Sequence, residues 1–161
     1  MNTSTKNRLL ENYSNAYDQV ITAISEFPTE MWNYKPAPDR WSIQEILIHI
    51  ADSEVNSYSR CRKIISEPGT RIYTYDQNKW SERLKYNETN HEDALALFKY
   101  LRKLTVNLIK ELPEEFWKLS VEHDEYGEYT LERWLEIYEP HIPDHINQMK
   151  KVYEIWKSNS L

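Results

Sequence analysis

Glycine is nearly missing from this chain: its 161 residues include only Gly69 and Gly127. Sandwiches and barrels reverse direction through many tight turns, which glycine serves best, so its scarcity argues for long helices. Cysteine is scarcer still. With Cys61 alone, neither an internal disulfide nor a cluster of thiolates around zinc can form. Basic residues are outnumbered, 20 Lys and Arg against 26 Asp and Glu, for a formal net charge of −6. Nucleic acids and anionic membranes are bound through clustered cations, so neither is an expected partner. No apolar run approaches the roughly 20 residues of a membrane span. The opening "MNTSTKNRLLENYSNAY" is polar and does not read as a signal peptide, so a cytoplasmic location is the expectation.

Aromatic residues, by contrast, are abundant at 13%, with six Trp and twelve Tyr, and hydrophobic residues make up 40%. That content supports one folded domain spanning 1–161. Four segments carry helical periodicity. The first runs from about Thr5 to Phe27, with Leu9, Tyr13, Ala16, Val20 and Ile24 on one face, and Pro28 stops it. The second opens at "WSIQE", where Ser42 and Glu45 have the spacing of a capping box, and runs to about Ile65. The third spans roughly His91 to Glu111, with Ala94, Leu95, Leu97, Phe98, Leu101, Leu104, Leu108 and Ile109 inward. The fourth begins near Thr130 and reaches about Trp156. The expected fold is all-α, an antiparallel four-helix bundle with one long loop between the second and third helices. A short hairpin in "KLSVEHDEYGEYTL", with Gly127 near its turn, is a further expectation.

Chemistry enters through the stretch "YEPHIPDHINQM". His141 and His145 are four apart, so on a helix they share a face one turn apart. His49 lies in "IQEILIHIADSE", deep within the second helix. On its own, His49 also reads as a core histidine bonded to a neighbouring Tyr or carboxylate. Together, the three imidazoles can meet at one divalent cation, and three nitrogen ligands with a fourth position open is the arrangement of a catalytic rather than a structural site. His91 and His123 stand in charged surroundings and are expected to face solvent.

The second helix adds a polar stripe: His49, Asp52, Ser53, Asn56 and Arg60 follow steps of three and four. Beside a metal, Asp52 would hold a ligand imidazole or serve as proton acceptor, and Asn56 and Arg60 would orient a polar substrate. Otherwise the stripe is the solvated side of an amphipathic helix. Trp41, Tyr58, Tyr75 and Trp80 are candidates to wall the pocket, Trp80 as a substrate contact. Cys61 ends an apolar row and reads as core. Pro140 and Pro143 leave the carbonyls of Glu136 and Glu139 without their helical donors, so the fourth helix either bends beside the histidine pair or restarts at Pro140.

"DRWSIQEILIHIADSE", "NSYSRCRKII", "YTYDQNKW" and "YEPHIPDHINQM", in this order along nearly the whole chain, resemble the DinB superfamily, and within it the YfiT-like, bacillithiol-transferase-type branch. The resemblance implies an antiparallel four-helix bundle holding zinc or nickel through His49, His141 and His145. It also implies metal-dependent transfer chemistry with a low-molecular-weight thiol and an electrophilic substrate. Such proteins often carry a further histidine after the late pair, where this chain has Gln148. Two functional expectations follow. One is a thiol S-transferase or hydrolase that uses the metal to activate a thiol or water. The other is a non-catalytic metal-binding module, or a helical module whose surface tryptophans form a homodimer.

Overall fold

A computed structural model describes residues 1–160 and contains six α-helices and a small sheet. α1 (Thr3–Ser14) and α2 (Ala16–Ile24) together make the first arm of the bundle. The long helix expected there is interrupted at Asn15, next to Ser14, whose hydroxyl bonds back to the Glu11 carbonyl. Short polar side chains of this kind compete for the helical backbone bonds. The apolar row nonetheless continues across the break, through Tyr13, Ala16 and Val20, all fully buried.

α3 (Ile43–Ser66) begins with the expected capping box: Ser42 accepts from the Glu45 backbone, and the Glu45 carboxylate accepts from Ser42 N–H. α4 (Gln77–Arg83) occupies the long connection that follows. α5 (His91–Ile109) is capped by Asn90, whose side chain accepts from the backbones of Glu92 and Asp93. Leu97 and Leu104, read as inward, instead share an exposed row with Tyr100. Arg102 and Thr105 take inward places on this helix.

α6 (Leu131–Asn159) is one helix of 29 residues capped by Thr130, and both prolines lie inside it. A restart at Pro140 does not occur. The helix tolerates the two missing bonds because it is buried along its length, with Trp134, Leu135, Ile142 and Met149 all at 0% exposure.

The helices form an antiparallel four-helix bundle in which α3 packs against α5 and α6, while the α1–α2 arm packs on the same two helices from the other side. The first and second arms therefore sit diagonally, as do α5 and α6, while α3 and α5 are direct neighbours; the connections 25–42 and 110–130 must cross the bundle ends. The second of these carries the expected hairpin, β2 (Ser120–His123) with β3 (Gly127–Thr130), Gly127 supplying the positive φ of 69° at its turn. An unforeseen two-residue strand, β1 (Arg71–Ile72), adds to β2 in parallel.

The apolar interior divides into two clusters. Ile46, Phe98, Ile142 and Met149 belong to one, and Cys61, Ile109, Trp134 and Leu135 to the other. Along α3 and α5, buried polar residues intervene where one cluster gives way to the other: Glu54 and Ser57 on α3, Arg102 and Thr105 on α5. Arg102 donates to Glu54 at 2.6 Å and to the Tyr13 carbonyl at 3.1 Å, so the buried charge is paired. No helix among the described residues is long and apolar enough to cross a membrane.

Candidate metal centre

His49 projects from α3, and His141 and His145 from successive turns of α6. One nitrogen from each ring falls within 4.8 Å of the other two. The ring centroids of His141 and His145 are 4.4 Å apart, and His49 lies 5.4 and 4.8 Å from them. Helical spacing brings the α6 pair together; only the packing of α3 on α6 brings His49 to them.

Each ring has its own support. Gln148, one turn beyond His145, offers its side-chain oxygen at 2.9 Å to His145 Nδ1, which leaves the lone pair on Nε2. That Nε2 faces His141 Nε2 at 3.1 Å, and Ser53 Oγ stands 3.4 Å from the same His141 atom. His49 packs under Trp41 with centroids 4.7 Å apart.

Burial keeps these rings neutral. It is the leading cause that pushes His49 down to about 3 from 6.5, followed by the charge of His145. His141 lies well below its ordinary value through burial and then through His145 and His49, and His145 is lowered by burial as well. Neutral imidazole is the ligating form.

A divalent cation fits this donor set. His49 Nδ1 is buried with no hydrogen-bond partner. The Nε2 atoms of the other two rings are aimed at each other with one proton at most between them. Nitrogen donors suit zinc, nickel and copper alike. His49, His141 and His145 are the one such group of His, Cys, Asp or Glu among the described residues, so the protein supplies three ligands and leaves the rest of the coordination sphere open.

The open side meets a cavity of about 170 Å³, lined by His49, Ser53, Arg60, Tyr75, Tyr138 and His141 among others. A larger surface groove of about 800 Å³ also touches Trp41 but reaches none of the three histidines. Chemistry, not size, selects the smaller one.

The other sequence candidates land unevenly. Arg60 lines the cavity, donating to Tyr138 Oη at 3.2 Å and to the Tyr73 carbonyl at 2.8 Å. Asp52 is half-buried and accepts from Tyr86 Oη at 2.5 Å; it bonds to none of the histidines. Asn56 turns its amide back to the Asp52 carbonyl at 2.9 Å, away from the cavity lining. Trp80 packs on Tyr75 at 4.6 Å and reaches the cavity only through that ring. Tyr58 lies instead under the guanidinium of Arg62. Cys61 is fully buried and its thiol is pushed up to about 12, mainly by burial, which leaves it inert.

Two histidines differ from expectation. His91 is half-covered by Trp32, 4.9 Å away. His123 is 1% exposed and lines the cavity. In β2 the inward places are Val121 and His123, so Glu122 points outward without exposing the histidine, while Asp124, just past the strand, turns its carboxylate toward Thr74 and His123. Period-two alternation was the available signal. Gln148, Tyr138 and His123 are residues of the site that motif reading misses.

Comparison with known proteins agrees with the four-helix fold. The family model described as DinB superfamily matches residues 12–149. A Bacillus subtilis protein carrying the provisional name metal-dependent hydrolase YfiT is 31% identical over 107 residues, 66% of this chain and 60% of its own length. A similarly named protein of Oceanobacillus iheyensis is 29% identical over 106 residues, 66% of this chain and 61% of its own. The chain thus spans about three fifths of the length of these curated relatives. The solved structure of YfiT from Bacillus subtilis, described as an unusual four-helix bundle topology, superposes with a TM-score of 0.86 at 22% identity. It covers 94% of this chain and 87% of that one.

Proposed function

The chain belongs to the DinB superfamily, and from that premise we propose that it is a metal-dependent enzyme, a thiol S-transferase or a hydrolase, acting on a small electrophilic substrate. The observation that carries this reading is the convergence of three neutral imidazoles from two helices beside a cavity. His49, His141 and His145 would hold a divalent ion, zinc or nickel. Such an ion supplies Lewis acidity, which makes a thiol or a water molecule acidic near neutral pH.

The protein's own groups supply position and proton traffic. Gln148 holds the His145 ring with Nε2 toward the centre, and Trp41 fixes the plane of His49. Ser53 Oγ, beside His141, donates to or accepts from whatever enters next to that ring. Arg60 grips a polar part of the substrate, with Tyr75 as wall and Trp80 as its backing. Asp52, one turn from His49 and held by Tyr86, accepts the proton released from the thiol or water; Asn56 holds the Asp52 turn of α3.

Turnover tests this reading. The protein is offered an alkylating fluorophore with a low-molecular-weight thiol, or an ester or amide panel without one. Catalysis should vanish with chelator, return with zinc or nickel, and be lost in His49→Ala and His145→Ala. A rate unaffected by chelator contradicts it.

A further inference from the structure

We infer that the molecule acted on at this centre carries a carboxylate, and that Arg60, Tyr138 and His123 form the subsite that receives it. The inference rests on the proposed reaction only for what happens at the other end of that molecule. The subsite itself is argued from hydrogen-bond capacity left over in the cavity wall.

Arg60 is the first such group. Its two hydrogen-bond partners, the Tyr138 hydroxyl and the Tyr73 carbonyl, are both neutral. No carboxylate among the described residues lies within ion-pair distance of it, although the chain has 26 acids for 20 bases. Arg102, the other arginine in the interior, is matched to Glu54 at 2.6 Å. A guanidinium left with neutral acceptors at a cavity wall retains donors and a full charge.

Tyr138 is the second. It is 4% exposed, and its oxygen accepts from Arg60 while its own proton has no acceptor. The third is His123, whose Nδ1 receives the backbone N–H groups of Glu125 at 3.1 Å and Tyr126 at 3.4 Å. Two donors aimed at one nitrogen place its lone pair there and put the ring proton on Nε2. Asp124 Oδ1 is 3.3 Å from the same Nδ1, but that oxygen already accepts Thr74 N–H at 2.9 Å. Nε2–H is buried with no partner.

A cation with only neutral acceptors, and a hydroxyl proton and a ring N–H with none, thus line one cavity. An uncompensated buried donor is costly, and the two buried ones on Tyr138 and His123, beside a half-buried guanidinium that faces only neutral acceptors, specify an oxyanion. One guanidinium balances one negative charge, and its planar fork matches a carboxylate. Glu125 also touches this cavity but is exposed, so solvent screens it. Tyr138 packs 6.2 Å from His141 between ring centroids, so a short chain of carbons spans from the subsite to the three histidines.

The test compares 3-mercaptopropionate with its neutral amide, 3-mercaptopropionamide, binding by calorimetry to the zinc-loaded full chain. The acid should bind about tenfold or more tightly. In Arg60→Gln the ratio should approach one, with Arg60→Lys between, because the charge without the fork restores part of it. Equal affinities in the wild type, which need no variant, overturn the proposal. A second arm is independent of the metal: propionate added to chelator-treated protein should shift the His123 Nε2–H resonance saturably, and less in Arg60→Gln. An unmoved resonance also overturns it, whereas failure of the metal reaction alone would leave this arm intact.

Discussion

Gln148 and His145 are joined through the glutamine side-chain oxygen and His145 Nδ1, 2.9 Å apart on one face of α6. The contact fixes which nitrogen of the ring carries the proton and therefore which one faces the other two histidines. Gln148→Leu removes it with little change of volume. Loss of such a support typically costs 10–100-fold in metal affinity, so zinc competition against a chromophoric chelator should show a weakening of about that size. Unchanged affinity would mean that packing alone orients His145.

Acid should destabilise the metal-free protein. The folded values of His49, His141 and His145 all lie below the ordinary 6.5, His49 at about 3. Below 6.5 the unfolded chain therefore binds more protons than the folded one, and stability present above that pH is lost as pH falls toward the folded values. Each ring contributes a slope of up to about 1.4 kcal/mol per pH unit. Urea midpoints of chelator-treated protein at pH 7.5 and 5.5 should differ, and His49→Gln should narrow the difference. Parallel behaviour of wild type and variant would contradict the neutral-ring account.

The Glu54–Arg102 pair is buried on both sides, each side chain 2% exposed. Removing one partner strands the other, at a cost of about 3–5 kcal/mol. Arg102→Met should therefore unfold at much lower denaturant, while Arg102→Met combined with Glu54→Leu should recover part of the loss. Chemical denaturation of the three proteins checks it.

The role proposed for Asp52 is proton transfer, and that proposed for Arg60 is substrate grip. If Asp52 accepts the reaction's proton, Asp52→Asn should lower kcat about 10²- to 10⁴-fold with KM little changed. Tyr86→Phe, which frees the carboxylate from the phenol that holds it, should lower kcat by less. A normal kcat in Asp52→Asn would move the role elsewhere, Ser53 being the nearest hydroxyl to His141.

Local chemistry made much of this readable from the chain. Ser42 with Glu45 announced the start of α3, and the four-residue spacing of His141 and His145 announced a shared face, because both patterns are set by helix geometry alone. The break at Asn15 was invisible, since the apolar row from Tyr13 to Val20 runs through it undisturbed. Leu97 and Leu104 misled because hydrophobic character outweighed their angular place on α5, where Arg102 points inward to meet Glu54. His123 reads as solvent-facing from its charged neighbours, yet in β2 it alternates with exposed Glu122 and so faces inward. The Asp52–Tyr86 bond joins residues 34 apart and depends on tertiary packing that no local pattern encodes. The diagonal placement of the first arm against α3, and of α5 against α6, has the same origin.

The most direct measurement is the metal content of protein made without a histidine tag, by inductively coupled plasma mass spectrometry, in the wild type and in His49→Ala, His141→Ala and His145→Ala. The account predicts close to one zinc or nickel ion per wild-type chain and a loss of most of it in each variant, including the one on α3. A wild type without stoichiometric metal under metal-replete conditions, or a His49→Ala variant that keeps its ion, would contradict it.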